Sequence, residues 1–227
     1  MAATADKGPP PRELRILVLH NRDFELEAPP GAAHTAEDLE RVARADVLNA
    51  AQNITRALAA HGHFVEVQGI DTDDLGDLLH QLRRDRPDLV FNLCESLGGD
   101  DHHEIVVPTL LDVLGVPYTG SGAFSMALCR DKFRAKQLLR AAGVPTPLAA
   151  KLPAVPSSRA DDLAAVQSIG YPLFLKLGEA DGSMGISSAS IVRSDEEFLD
   201  QLEALRKRFR QTVLAERFIE GRELYVS

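Results

Sequence analysis

The chain has 227 residues, 34 acidic against 25 basic, and its formal charge of −9 argues against a nucleic-acid binder. Hydrophobic residues make up 44% and charged residues 26%, which rules out a wholly disordered chain and allows one large domain or two smaller ones. No uncharged apolar stretch reaches the roughly 20 residues of a membrane-spanning helix, residues 1–11 lack a signal-peptide apolar region, and the two cysteines, Cys94 and Cys129, are too few for a disulfide framework, so a cytoplasmic protein is expected.

After a leader over 1–13, residues 14–20 (Leu-Arg-Ile-Leu-Val-Leu-His) form a short apolar run, the signature of a strand buried on both faces. Residues 21–35 carry Pro29, Pro30 and Gly31 and no period, which predicts a long loop. Leu39, Val42, Val47, Ala50, Ile54, Ala57 and Leu58 approximate helical spacing, and Gly62 stands as a cap, so a helix is predicted over 36–61. A weakly alternating strand over 64–70 follows. Asp71 to Asp74 then supply caps for a helix with Leu75, Leu78, Leu79 and Leu82 on one face. Pro87 ends that helix, 89–93 reads as a buried strand, and 105–114 as an apolar helix closed by Gly115. This β-α-β-α-β-α order predicts a parallel sheet with ligands at the carboxyl ends of its strands.

A second region opens near Gly120 and Gly122. The pattern predicts one helix over 124–142, a loop over 149–158, a helix over 159–168 and a strand over 172–177. A glycine-containing loop over 178–185, a strand over 186–192, a helix over 195–208 and strands over 213–217 and 223–226 complete the chain.

Chemistry concentrates in this second region. Lys176 ends an apolar strand, where a charge is costly unless an anion meets it, and Gly182 and Gly185 free backbone N–H groups in the loop that follows. That is a phosphate-binding arrangement, with a hairpin and a snorkelling lysine as the plain alternative. Glu216 and Glu223 flank an apolar turn at Phe218 and Ile219, a layout that suits a flat base and ribose hydroxyls, or a solvated hairpin. Lys132 is a third cation, open to reading as an exposed helix lysine. Residues 100–104 (Asp-Asp-His-His-Glu) look like a metal cluster, but adjacent side chains on a short loop diverge, and Asp101 with Glu104 serves as a capping pair. Cys129 reads as a small core residue, and Cys94 at a strand end is open.

Taken in order, residues 116–121 (Val-Pro-Tyr-Thr-Gly-Ser), Asp131-Lys132, residues 142–147 (Ala-Gly-Val-Pro-Thr-Pro), Gly170 through Lys176, the 182–185 loop and Glu216 to Glu223 resemble the D-alanine–D-alanine ligases and their ATP-grasp relatives. The resemblance spans about residues 88–227. It implies an α/β protein with a Rossmann-like parallel-sheet N-terminal domain over 14–120 and a partial ATP-grasp α+β domain over 121–227. It further implies that Lys132 and Lys176 hold ATP phosphates and that the Gly182 to Gly185 loop, with Ser183 as its catalytic residue, closes over them. By the same resemblance Glu216, Phe218 and Ile219 meet adenine, and Glu223 takes the ribose hydroxyls. The family activates a carboxylate as an acyl phosphate that an amine then attacks. Its substrates imply an amino acid or small peptide as partner, and a homodimer stays open.

Two departures follow. The family's first glycine-rich loop is not recognisable between His20 and Asn53, and its histidine-glycine pair appears as Glu95-Ser96, so the substrate is left open. The family's magnesium ligands lie in a later segment, expected beyond Ser227, which predicts a polypeptide inactive or nearly so by itself, because magnesium contributes several kcal/mol to phosphoryl chemistry. A non-catalytic nucleotide-binding or dimerisation module is the competing expectation, and an amino-acid-binding domain without nucleotide the third.

Overall fold

The computed structural model describes residues 12–22, 36–155, 158–180 and 184–224, with the side chains of 36–46 excepted. Most of the expected leader, residues 23–35 of the expected loop and residues 225–226 of the expected last strand lie outside them. The chain divides into two units, Met1–Met126 and Ala127–Ser227.

In the first unit the apolar run becomes β1 (Arg15–Asn21), which extends one residue into the expected loop. It lies between β2 (Phe64–Ile70) and β3 (Leu89–Leu93), parallel to both, with Val18 opposite Val67 on one side and Phe91 on the other. A central strand has no solvated face, and Ile16 to Leu19 are accordingly buried. Phe64 and Val67 on the outer strand β2 stay exposed, which is why its pattern alternates weakly. The helices are α1 (Ala36–Ala60), α2 (Leu75–Arg84) and α3 (Val106–Leu114). Leu78, Leu82, Val107 and Leu111 pack with Leu17, Leu19, Ile70 and Val90 into one core. Gly115 ends α3 at φ 63°, a left-handed conformation that glycine adopts without penalty. Asp71 caps not α2 itself but a 3-10 turn, Thr72–Asp74, that leads into it. Another 3-10 turn, Asp101–Ile105, precedes α3; its cap is Asp100, which accepts from the His102 N–H at 2.8 Å, in place of the expected Asp101 and Glu104 pair.

The helix expected over 124–142 is two helices. Asp131 leaves the helical conformation (ψ 90°) and its carboxylate accepts from the N–H groups of Phe133 and Arg134, so α4 (Ala123–Arg130) stops and α5 (Lys132–Ala141) starts with a new cap. The expected loop over 149–158 contains a strand, β4 (Ala149–Leu152). After α6 (Arg159–Val166) come β5 (Leu173–Leu177), β6 (Ile191–Val192), α7 (Asp195–Phe209) and β7 (Val213–Arg217). The strand expected over 186–192 shortens to its last two residues because Ser187 and Ser190 cap each other around a 3-10 turn, Ser188–Ser190. Glu223 and Leu224, expected to open a last strand, have no regular structure.

These strands form an antiparallel sheet in the order β4-β7-β5-β6. Side chains alternate between its faces. One face presents Leu152, Leu173, Leu175, Leu177, Val213 and Ala215 to Val166 of α6 and to Phe198, Leu202 and Leu205 of α7. Each fully buried leucine, valine or phenylalanine of that core contributes about 1.5–3 kcal/mol.

Candidate functional site

The register that buries the leucines of β5 sends Phe174 and Lys176 to the other side. Opposite them on β7 stand Glu216 and Leu214, and opposite those on β4 stand Ala149 and Lys151. Leu214 is fully buried and separates the two lysines. The face therefore carries two cations, one anion and an apolar patch on rigid strands. α5 adds two more cations. Lys136 reaches the Oε2 of Glu216 at 2.8 Å while Lys176 reaches its Oε1 at 2.8 Å, so one carboxylate lies between two ammonium groups. Lys132 donates its ammonium to the carbonyl of Ala180 and its backbone N–H to the carbonyl of Gly178, 3.1 Å away, which joins the start of α5 to the loop after β5. The Lys176 ammonium also lies 5.9 Å from the centre of the Phe174 ring.

A second knot of charge sits beside the first. Lys151 donates to Asp131 at 2.9 Å and to Glu179 at 3.1 Å, and Glu179 also accepts from the Thr212 hydroxyl at 3.3 Å. Burial pushes the Asp131 carboxyl up, but the hydrogen bonds from Lys151 and the Arg134 N–H, with the charges of both side chains, outweigh it and hold the group below its ordinary value. Lys151 is the mirror case: burial lowers it, and the two carboxylates together raise it above the ordinary lysine value. Of the six lysines in this acidic chain, Lys132, Lys136, Lys151 and Lys176 gather on one face. Such a concentration is an anion site in waiting, because a polyanion can replace carboxylates as the partner of several ammonium groups at once.

The loop that follows β5 starts at Gly178, whose Cβ would stand 2.5 Å from the Thr212 hydroxyl, so a larger residue there requires that hydroxyl to move. Gly182 and Ser183 lie outside the described residues. On its return the loop packs Met184 on the α7 core and turns at Gly185 with φ 74°, a position where a Cβ would touch Phe209 and Leu205. Past the end of β7, Phe218 is half-buried with its N–H bonded to the Pro172 carbonyl at 3.0 Å, while Ile219 and Glu223 are exposed.

Comparison with known proteins gives this face a context. The family model described as "Carbamoyl-phosphate synthase L chain, ATP binding domain" matches residues 131–225. D-alanine–D-alanine ligase of Pseudomonas entomophila is 34% identical over 174 residues, 77% of this chain and 50% of its own. That of Xylella fastidiosa is 36% identical over 179 residues, 78% of this chain and 55% of its own. The chain is similar to the D-alanine–D-alanine ligases and, over residues 131–225, to the ATP-binding domain of the ATP-grasp type. It spans about half the length of the curated relatives it matches. The crystal structure of D-alanine–D-alanine ligase from Bacillus anthracis shares the fold, with a TM-score of 0.63 at 22% identity, covering 92% of this chain and 58% of that one. The same enzyme complexed with ATP aligns with a TM-score of 0.61 at 20% identity, covering 92% of this chain and 60% of that one.

On this face the expected residues Lys176 and Glu216 are in direct contact, and Lys132 lies at the adjoining loop. The sequence reading missed Lys136, Lys151 and Glu179. Lys136 stands one helical turn after Lys132, a spacing that could have flagged it. Lys151 was hidden by the reading of its strand as a loop. In the first unit the carboxyl ends of β1 and β3 carry buried His20, Asn21 and Ser96, with the Asn21 amide donating to Ser96 Oγ at 2.6 Å and accepting from the Glu95 N–H at 3.3 Å. Cys94 is buried in the core there, whereas Cys129, expected in the core, is exposed on α4. The donor atoms of Asp100, Asp101 and His102 lie within 4.8 Å of one another instead of diverging, all three exposed. Their hydrogen bonds, including His102 Nδ1 to Asp100 at 2.9 Å, hold Asp100 below its ordinary value.

Proposed function

We propose that the second unit binds ATP on its charged sheet face and serves an ATP-dependent carboxylate-amine ligase. The observation that carries this reading is the set of three lysines paired with Glu216 and Asp131, with Lys132 beside them on the loop after β5, since a triphosphate needs several fixed cations at once. In this reading Lys132 and Lys176 hold the phosphates, and Gly182, Ser183 and Gly185 form the covering loop. Glu216, Phe218 and Ile219 meet adenine, and Glu223 takes the ribose hydroxyls. The substrate carboxylate attacks the terminal phosphorus and releases ADP; an amine then attacks the acyl carbon, and inorganic phosphate leaves as the C–N bond forms. An amino acid or small peptide is the proposed substrate class, in keeping with relatives named D-alanine–D-alanine ligases.

Magnesium normally offsets phosphate charge in such chemistry. Among the described residues the one grouping with metal-ligating spacing is Asp100, Asp101 and His102, and it does not fit: its carboxylates are tied to the imidazole and N–H of His102, and magnesium prefers an octahedral oxygen set.

The test has two parts. Titration calorimetry of this chain with ATP is expected to show saturable binding that Lys176→Met weakens by about 10–100-fold, the effect of removing one charge-assisted contact. Incubating the intact protein with ATP, D-alanine and hydroxylamine is expected to yield a hydroxamate. ATP binding without hydroxamate over a panel of amino acids would leave a nucleotide-binding module and overturn the ligase reading.

A further inference from the structure

Glu216 poses a difficulty for any polyanion that uses Lys176. Lys176 hydrogen-bonds Oε1 while Lys136 meets Oε2 as an ion pair outside hydrogen-bond geometry, and when phosphates draw Lys176 away the carboxylate keeps only the Lys136 contact in a nearly buried position, its side chain being 11% exposed. A carboxylate with half of its support gone is free to swing toward water, which alters what it can accept.

The two lysines are not equivalent. The Lys176 side chain is 23% exposed and stands at the end of a strand next to the loop, where a ligand can reach it. The Lys136 side chain is 14% exposed, rises from the middle of α5, and has the Pro147 carbonyl 3.5 Å from its ammonium on one side and Glu216 on the other. Lys176 is thus the cation that can change partners, and Lys136 is the one that stays. Resting on the nucleotide reading above, we propose that Lys136 is a positioning residue that keeps Glu216 aimed once Lys176 has turned to the phosphates, so that the freed Oε1 reads the exocyclic group of the base.

The chemistry of that reading is one of sign. An ionised carboxylate only accepts hydrogen bonds, so it takes the 6-amino group of adenine and repels the 6-carbonyl of guanine. A site that loses the aim of Glu216 loses the discrimination, whether or not it still holds the phosphates. Lys136 would therefore act on which nucleotide binds more than on how tightly phosphate binds.

The experiment measures dissociation constants for ATP and for GTP by calorimetry in this chain, with thermal unfolding of each variant. Wild type is expected to favour ATP, and Lys136→Met is expected to cut the ATP-to-GTP preference by about tenfold or more, the worth of one charge-assisted hydrogen bond. Lys136→Arg, which keeps the charge, is expected to restore most of the preference. In a Glu216→Gln background, where no carboxylate needs aiming, adding Lys136→Met is expected to change the ratio by less than about twofold, the signature of two residues acting through one interaction. This second background also keeps the test decisive should the single variant fold poorly. Equal weakening of ATP and GTP by Lys136→Met, or no change in either, would overturn the inference while the nucleotide reading stands. Wild type that binds neither nucleotide overturns both.

Discussion

The buried pair between Asp162 on α6 and Arg206 on α7 makes a stability prediction whose size follows from geometry. The guanidinium donates to both carboxylate oxygens, at 2.6 and 2.9 Å, and its Nε donates to the Pro153 carbonyl at 2.8 Å, with the two side chains 5% and 8% exposed. Asp162→Ala leaves a guanidinium out of water with one neutral partner, which costs about 3–5 kcal/mol. A unit of this size has a total stability on the order of 5–15 kcal/mol, so the variant stands near its limit. With a urea slope of roughly 1–3 kcal/mol per molar, the midpoint falls by about 1–3 M. The chain has no tryptophan, so the assay is far-UV circular dichroism in urea, with hydrogen exchange of peptides from α6 and α7 to assign the transition. Replacing both partners, Asp162→Leu with Arg206→Met, removes the stranded charge and is expected to recover most of the loss. A single-variant cost below about 1 kcal/mol, or a double variant no better than the single, would refute the claim that the pair is desolvated and mutually dependent.

Two further outcomes follow from the charged face and its edge. Gly178→Ala drives a Cβ to 2.5 Å from the Thr212 hydroxyl; it is expected to cost about 1–3 kcal/mol by urea unfolding, most of it returned by Thr212→Ala in the same chain. The depressed carboxyl of Asp131 contributes stability that is present above its unfolded value of about 3.9 and is lost as pH falls through the lower folded value. Lys151 contributes stability that is present below about 10.4 and is lost as pH rises through its raised folded value. Urea midpoints plotted against pH should therefore fall at both ends, and Asp131→Asn should flatten both limbs, because it removes one carboxyl that titrates in acid and one partner that raises Lys151. An unchanged profile in that variant would show that the Lys151 network contributes nothing measurable.

The sequence by itself determined what local patterns can encode. A continuous apolar run specified the central strand β1, helical spacing of Leu75, Leu78 and Leu82 specified α2, and Gly115 marked the end of α3, since burial on both faces, a 3.6-residue period and a left-handed cap each leave a short-range trace. The Lys176 strand and the strand that carries Glu216 were legible in the same way, as charges placed against apolar runs. Tertiary structure decided the rest. β4 has no pattern of its own and becomes a strand only because β7 offers it an edge, placing Lys151 beside Leu214. Asp131 breaks a run that reads as one helix because its carboxylate finds N–H groups of the next turn and the ammonium of Lys151, twenty residues away, in the same place. Lys136 meets Glu216 across eighty positions of chain. Ion pairs between residues so far apart have no period, and their partners are chosen by sheet register, which exists only once the strands have paired.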